Sequence, residues 1–465
     1  MDLYREIRLD KDSEEPLYHQ LETALLDRIV DNRLPAGQKL PPIRKLAEAL
    51  GVNTATVVAA YRHLEQKKAV YAQVGSGTFV SPIPYRQAPT LVSSRRQNAP
   101  PPTGTINFAS TELPGRLFPA REFGKIFQIL MEREGGDAFR YEDSRGYGPL
   151  REVLCKVLEV DRIRANPDQV QVVSGAQQGI DLVAKALLAY GDVVALERPC
   201  FYGAAGAFLS RGGRLVEVPL EDDGMDMDRL EDCLKLYHPR LVYMTANFQT
   251  PTGISYSIAK KRRLLQLAEI YDTIVIEDDN LSDLYYGSQR PIPLKALDYQ
   301  NRVVYIKSFS RILMPGYRLG LLVLPRRIAG AVEEAKVTSD IATSSFLQKA
   351  ANEYFRNYPW EEHREAMRRF GLERYKKALS DAKIAGIRSF VPPEGGGSLW
   401  IQTPAGLSAE ELARRLLEQG VAVSPGSQFY LEAAQTHAFR LGFAGADDRE
   451  LAEGMSKIGQ MLKKR

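Results

Sequence analysis

Between Leu17 and Val30 the run LYHQLETALLDRIV sets apolar side chains at helical spacing, and Asn32, Pro35 and Gly37 end it. A second, short amphipathic stretch runs from Pro42 to Leu50 and closes at Gly51. Asn53 or Thr54 can cap a third, with Val57, Val58, Tyr61 and Leu64 on its inner side. Then VYAQVGSGTFV, 70–80, reads as two short strands around Gly75-Ser76-Gly77, a hairpin or wing. Helix, tight glycine turn and helix is the helix-turn-helix arrangement.

The pattern breaks over 81–105, SPIPYRQAPTLVSSRRQNAPPPTGT. Pro, Ser, Gln and Arg dominate there, and the prolines resist helix and central strand alike. This predicts a tether, semi-extended near the prolines. Arg86, Arg95 and Arg96 either touch phosphate or stay solvated. Beyond it, β-like runs alternate with amphipathic helices. QVQVVSG (169–175), DVVALERP (192–199), RLVYMTA (240–246), DTIVIEDD (272–279), RVVYIKS (302–308) and GLLVLP (320–325) are near-continuous apolar runs. Such strands are buried on both faces, which predicts an α/β fold with a mainly parallel sheet covered by helices. From about 336 to 385 the texture is helical. A smaller α+β unit follows, with strands near GSLWIQ (397–402), VAVSP (421–425) and FRLGF (439–443) and a last helix from Asp448. The expected units are 1–80, a DNA-binding head; 81–105, a linker; 106–335, a large domain; and 336–465, a helical segment with a small domain.

Composition narrows the class. At 465 residues, 44% hydrophobic and 26% charged, the chain is not globally disordered. A net charge of +4 does not announce a nucleic-acid binder, so that role has to come from local pattern. From Arg33 to Val80 the local pattern supplies it: seven basic residues stand against Glu48 and Glu65. Cys155, Cys200 and Cys233 are odd in number and lack metal or disulfide spacing, and the five histidines do not cluster. The charged start MDLYREIRLDKDSEE is no signal peptide, and no apolar run approaches the roughly 18 residues of a membrane span. A reducing cytoplasm and no membrane partner are expected.

Chemistry in open α/β sheets sits outside the carboxyl ends of strands. Ser174-Gly175-Ala176-Gln177 follows a strand and opens a helix, whose amides and dipole attract phosphate. Asp278 ends another strand, Ser308 and Ser310 a third, and Arg318 lies within GYRLG. Each signal alone has an ordinary capping or solubilising reading; five in register suggest a phosphate cup beside a buried carboxylate. Trp360 and Trp400 are expected to pack as core or interface aromatics, and His63 to face solvent or phosphate.

Residues 16–80 resemble the winged-helix domain of GntR-type bacterial regulators, through PLYHQL, LPAGQKLPPIRKLAEALGVN, TVVAAYRHLE and GSGTFV. The resemblance implies that Arg44, Asn53, Thr54, Thr56 and the wing around Gly77 face double-stranded DNA. Two departures bear on base preference: Thr54 stands where the family has Arg, and Lys68 where it has Gly. Most of 105–465 resembles the fold-type-I aminotransferases that use pyridoxal phosphate, through LFP (117–119), YEDSRGYGPLRE (141–152), VVSGAQQGIDL (172–182), ERPCFYGA (197–204), NFQTPTG (247–253), IEDD (276–279), SFSRILMPGYRLG (308–320), GVAVSPGSQF (420–429) and FRLGF (439–443). Together the halves resemble MocR-type transcriptional regulators, which implies a homodimer. In that group the enzyme-like domain senses cofactor and amino-acid-like effectors.

The same resemblance implies the roles. Asp278 pairs with the pyridine nitrogen, Phe201 stacks on the ring, and Gly175, Ala176, Ser308, Ser310 and Arg318 hold the phosphate. Arg440 grips the α-carboxylate of an amino-acid-like effector. Three departures cluster on the reacting edge. Arg311 stands where the family has its Schiff-base lysine, Thr250 where it has Asn, and Asn280 where it has Tyr. A guanidinium stays protonated and is no amine nucleophile. Lys307 lies four residues earlier on a strand rising about 3.3 Å per residue, so its amine is displaced by several ångströms. Three readings stay open: a sensor-regulator without transaminase activity, an active aminotransferase with an added head, and a regulator that has abandoned the cofactor.

Overall fold

The computed structural model describes residues 4, 7, 9–10, 13, 15–30, 33–35, 37–66, 69–73, 75–81, 101–431 and 435–463. Asn32, Lys67, Lys68 and the linker over 82–100 lie outside the described residues.

The head contains α1 (Leu17–Val30), α2 (Ile43–Leu50) and α3 (Thr54–Gln66), then a hairpin of β1 (Val70–Gln73) and β2 (Gly77–Val80). Gly51 ends α2 at φ 62°, a left-handed turn that Gly adopts without Cβ strain. Asn53, not Thr54, caps α3: its Oδ1 accepts from the Thr56 amide at 2.7 Å and from the Thr56 hydroxyl at 3.0 Å. Val57, Ala60, Tyr61 and Leu64 are buried, three and four apart, against α1 and α2. Val58 is 46% exposed, which corrects the expectation that it faces inward: one step of about 100° from Val57 carries it off the buried stripe. Ser81, placed by the sequence at the start of the tether, is buried and donates its amide to Ala69.

The body opens on β3 (Ile106–Asn107) and is built on an eight-stranded sheet. Its strands are β4 (Val170–Val173), β5 (Val193–Arg198), β6 (Arg214–Glu221), β7 (Gly224–Met225), β8 (Leu241–Met244), β9 (Ile274–Asp279), β10 (Val303–Ser308) and β11 (Gly320–Val323), in the order β4-β11-β10-β9-β8-β5-β6-β7. The pairs β6–β5–β8–β9–β10 are parallel, while β11 runs antiparallel to both its neighbours and β7 turns back on β6. Burial on both faces explains the continuous apolar runs. Val194 and Leu196 enter one core with the helices Ala176–Leu187 and Arg326–Asp340; Val193 and Ala195 enter the other with Met227–Tyr237 and Ile258–Ile270. The sequence reading missed β6. RLVEVPLE carries Glu217 and Pro219 and alternates in burial, as suits a strand beside the sheet's edge.

A smaller unit carries the antiparallel sheet β12 (Ser398–Gln402), β15 (Ala438–Gly442) and β14 (Ser424–Pro425), while β13 (Val421–Ala422) pairs with β3. Residue 106, expected to open the large domain, therefore sits in the small unit, where Ile106 and Phe108 share a core with Leu399, Phe439 and Met455. The helix Trp360–Ala385 joins the two: Met367 packs with the large unit, Ala378 and Ala382 with the small one. Trp360 is buried against Phe309 and Phe355, and Trp400 lies edge-on to Phe429 at 5.8 Å. Among the described residues no helix is long and apolar enough to cross a membrane, and no group of His, Cys, Asp and Glu could hold a metal.

Candidate functional site

The carboxyl ends of β9 and β10 lie side by side, with Asp278 opposite Ile306 and Asp279 opposite Lys307. Because successive side chains of a strand point to opposite faces, Asp278 and Asp279 enter different environments. Asp278 is 1% exposed; its Oδ2 accepts from the Tyr243 hydroxyl at 2.7 Å, and its Oδ1 has no partner among the described residues. Burial pushes its carboxyl up to about 6, against the opposing pull of the Tyr243 hydrogen bond. A buried carboxylate oxygen costs stability until a donor meets it.

Gly175 caps the helix Ala176–Leu187 at φ 90°, and an added Cβ would lie 2.4 Å from Arg318 Nη2. Only glycine lets the guanidinium lie so close; Arg318 is itself left-handed at φ 59° and donates to the Ser174 carbonyl at 2.8 Å. Ser308 is buried and its hydroxyl accepts from the Ser310 amide at 3.3 Å. β4 and β10 end, and β11 begins, beside one another, with Val173 and Ser308 both opposite Gly320, which gathers the segments of Gly175, Ala176, Ser308, Ser310 and Arg318. Phe201 caps the helix Tyr202–Ser210, half-buried, with its ring 5.2 Å from that of Tyr202. Thr250 and Asn280 are half-buried in the turns after β8 and β9. Gln249 anchors the first of these turns, donating to Glu197 at 3.0 Å and the Pro199 carbonyl at 2.8 Å.

Arg311 is half-buried and, among the described residues, has no hydrogen bond and no ion pair within 4.0 Å. Burial holds its guanidinium below the usual range, opposed by Glu112 and Tyr202. Arg440, on β15 between Trp400 and Ser424, donates to the Ala109 carbonyl at 2.8 Å and to Ser424 Oγ at 3.3 Å; its Nε has no partner among the described residues. Burial, with the charge of Arg311 acting the same way, lowers Arg440 to about 10. Lys307 does not enter this pocket. Its Nζ is buried on the other face, 2.8 Å from Asp283, 3.0 Å from Ser282 Oγ and 3.5 Å from Asp279. Arg364 completes that network at 2.5 Å from Asp283 and 3.0 Å from Asp161.

The sequence reading missed Tyr243, Ser424, Glu112 and Tyr202. Tyr243 was findable, since strand alternation on β8 turns it to the face of Asp278. The others come from separate segments that only the fold brings together.

On the head, Arg44, Thr54 and Gly77 are exposed, at the first turn of α2, the first turn of α3 and the wing. Thr56 is half-buried and, with Asn53, is occupied in the cap. Lys39 lies along the wing, its ammonium 5.9 Å from the Phe79 ring. His63 pairs with Glu22 at 3.1 Å rather than standing free.

The residues that would meet pyridoxal phosphate fit its two holding ends. Asp278 Oδ1 lacks the donor that a pyridinium nitrogen supplies, and the start of the helix Ala176–Leu187 with Arg318 offers an anion seat. Arg311 stands at the position that the resemblance implies for covalent attachment.

Comparison with known proteins agrees with this division. Residues 104–458 match the family "aminotransferase class I and II", and residues 17–80 match "bacterial regulatory proteins, gntR family". The chain is 30% identical over 470 residues to the probable rhizopine catabolism regulatory protein MocR of Rhizobium meliloti, covering 97% of this chain and 94% of that one. It is 33% identical over 365 residues to 2-aminoadipate transaminase of Thermus thermophilus, covering 77% of this chain and 90% of the relative. Among solved structures, Pyrococcus horikoshii kynurenine aminotransferase with PMP superposes with a TM-score of 0.73 at 32% identity, covering 78% of this chain and 91% of that one.

Proposed function

This chain belongs to the class I and II aminotransferase family and carries a gntR-family regulatory head, and from that premise we propose a DNA-binding transcriptional regulator whose body holds ligand without transaminating it. The cofactor of its family is pyridoxal phosphate, which when bound supplies an electron-withdrawing ring and a reactive aldehyde. In this reading Asp278 keeps the ring nitrogen protonated, Phe201 stacks on the ring, and Gly175, Ala176, Ser308, Ser310 and Arg318 hold the phosphate. Thr250 and Asn280 flank the ring's other edge, and Arg440 takes a carboxylate of the effector. The head reads duplex DNA through Arg44, Thr54 and the wing, with Asn53 and Thr56 setting the start of the reading helix.

The observation that carries the reading is the fate of the amines. Arg311 stands where attachment occurs in the family, and Lys307 is tied to Asp283, Asp279 and Ser282 on the opposite face of the sheet. A homodimer is part of the reading. Its support is the exposed apolar surface of 129–141, where Ile129, Met131, Phe139 and Tyr141 are 45–82% exposed.

The test uses the full-length protein. Duplexes selected from a randomised pool should be bound with an affinity that falls steeply with salt, and pyridoxal phosphate with an effector should shift that affinity. Turnover of an amino donor by the unaltered protein would refute the reading, as would indifference to duplex DNA at low ionic strength.

A further inference from the structure

The reading helix of the head turns an apolar face outward as well as inward. On α3, Val57, Ala60, Tyr61 and Leu64 fill the core of the head. Ala55, Val58 and Arg62 follow one another on the outer side at steps of three and four, Thr54 lies one turn before Val58, and all four are exposed. Among the described residues of the head, Val58 is the one large apolar side chain left exposed. The polar groups beside it are committed elsewhere. Asn53 would need its whole amide to pair with adenine, and its Oδ1 already accepts from the Thr56 amide and hydroxyl. The second of these bonds also occupies the Thr56 hydroxyl hydrogen. His63 is held by Glu22 and lies edge-on to the Tyr18 ring at 5.0 Å. Arg62 stands two turns beyond Thr54, away from the helix start that meets base edges. Charge for the phosphates comes from other elements: Arg44 and Lys45 are exposed at the first turn of α2, and Lys39 beside the wing.

Base edges in the major groove differ in what they ask of a side chain. Guanine takes the fork of Arg or Lys, adenine that of Asn or Gln, and thymine offers a methyl group that apolar side chains touch. Over its first two turns, the exposed positions of α3 present methyl groups and a single hydroxyl, that of Thr54. We propose that α3 reads thymine. Val58 packs on the C5-methyl groups of thymines in the major groove, flanked by the methyls of Thr54 and Ala55, and is the specificity-determining residue of the head. A guanine in the same place would lose water from O6 and N7 with no donor to replace it. This proposal rests on the reading of the head as a binder of duplex DNA, which the gntR-family match over 17–80 supports, and adds the base that the head selects.

The experiment begins with duplexes selected from a randomised pool by the full-length protein. The tightest is resynthesised with each thymine replaced in turn by uracil, which removes one C5-methyl and leaves every hydrogen-bonding group in place. At one or more thymines the replacement is expected to weaken binding about fourfold, the worth of one methyl withdrawn from water. In Val58→Ala the same replacement should matter less than about 1.5-fold, because the partner of the methyl is already gone. An unchanged melting temperature shows that this exposed position leaves the fold intact. A selected duplex indifferent to uracil at every position would overturn the proposal. So would a uracil penalty that survives Val58→Ala, or a Val58→Ala loss equal on the thymine and uracil duplexes. The two claims fail separately. No binding of any duplex at low ionic strength refutes the reading of the head and thymine selection with it, whereas tight binding that ignores uracil refutes thymine selection alone.

Discussion

Two groups of buried charge lie on opposite faces of the same strands, and they are built differently. On one face Lys307, Arg364, Asp283, Asp279 and Asp161 pair with one another. On the other, among the described residues Asp278, Arg311 and Arg440 have no ion pair within 4.0 Å; Asp278 has the Tyr243 hydroxyl, and Arg440 the Ala109 carbonyl and the Ser424 hydroxyl. The paired set behaves as structure. Burial alone would lower Lys307 and raise Asp283, yet the charges of Asp279, Asp283 and Asp161 hold Lys307 above its usual range against the opposing charge of Arg364, while Arg364 and Lys307 hold Asp283 below its own. The unpaired set shows the opposite signs, with Asp278 pushed up and both arginines pulled down. Buried charges without an ion-pair partner cost stability, and in the proposed function a ligand offsets that cost.

The largest effects should come from breaking the paired set. Lys307→Ala or Arg364→Ala leaves a buried carboxylate uncompensated and is expected to cost about 3–5 kcal/mol in denaturant unfolding. Asp278→Asn should cost far less without ligand and is expected to be neutral or stabilising at pH 8. If the two sites proved equally costly, the division between the two faces would collapse.

Acidity sharpens the contrast. The folded-state value of Asp278, about 6, lies above the ordinary carboxylate value, so the folded form holds a proton that the unfolded chain has already released. Its contribution is therefore least unfavourable below about pH 4 and worsens as pH rises through 6, by up to about 3 kcal/mol. Comparing Asp278→Asn with the unaltered protein across pH 4–8 should show their stability difference growing over that window. A cationic ring nitrogen bound at Oδ1 should abolish the growth. Glu197 is pushed up to about 7 by burial and partly by the charge of Asp278, so Asp278→Asn relieves Glu197 too and adds to the difference in the same direction.

A smaller effect is expected from the head. Asn53→Ala removes the cap that holds the Thr56 amide and should cost about 1 kcal/mol. Arg44→Ala should leave stability unchanged within about 0.5 kcal/mol and, if it meets the DNA backbone as the proposed function has it, weaken DNA binding across sequences.

Much of this was legible in the sequence, for physical reasons that differ by element. The strands β5, β8, β9 and β10 stood out because burial on both faces demands unbroken apolar runs, and Gly51 marked the head's turn. β6 was hidden because an outer strand tolerates Glu217 and Pro219, and Val58 was misplaced because a one-residue step on a helix crosses from core to solvent. In the site, Asp278, Gly175, Ser308 and Arg318 lie at or near strand ends and could be picked out from the sequence, whereas Glu112, Tyr202 and Ser424 approach the arginines from distant segments. Lys307 looked like a stray amine in the linear sequence; only the pairing of Asp283 and Arg364 around it reveals its structural task.

The central claim is that the pocket holds its cofactor by unpaired charges and without an amine. Its most direct test is to saturate the full-length protein and Arg311→Lys with pyridoxal phosphate, treat both with borohydride, and weigh the intact chains. The account predicts a cofactor lost on buffer exchange and no mass increment in the unaltered protein, with one increment at residue 311 in the variant. A covalent adduct at any lysine of the unaltered pocket would contradict it.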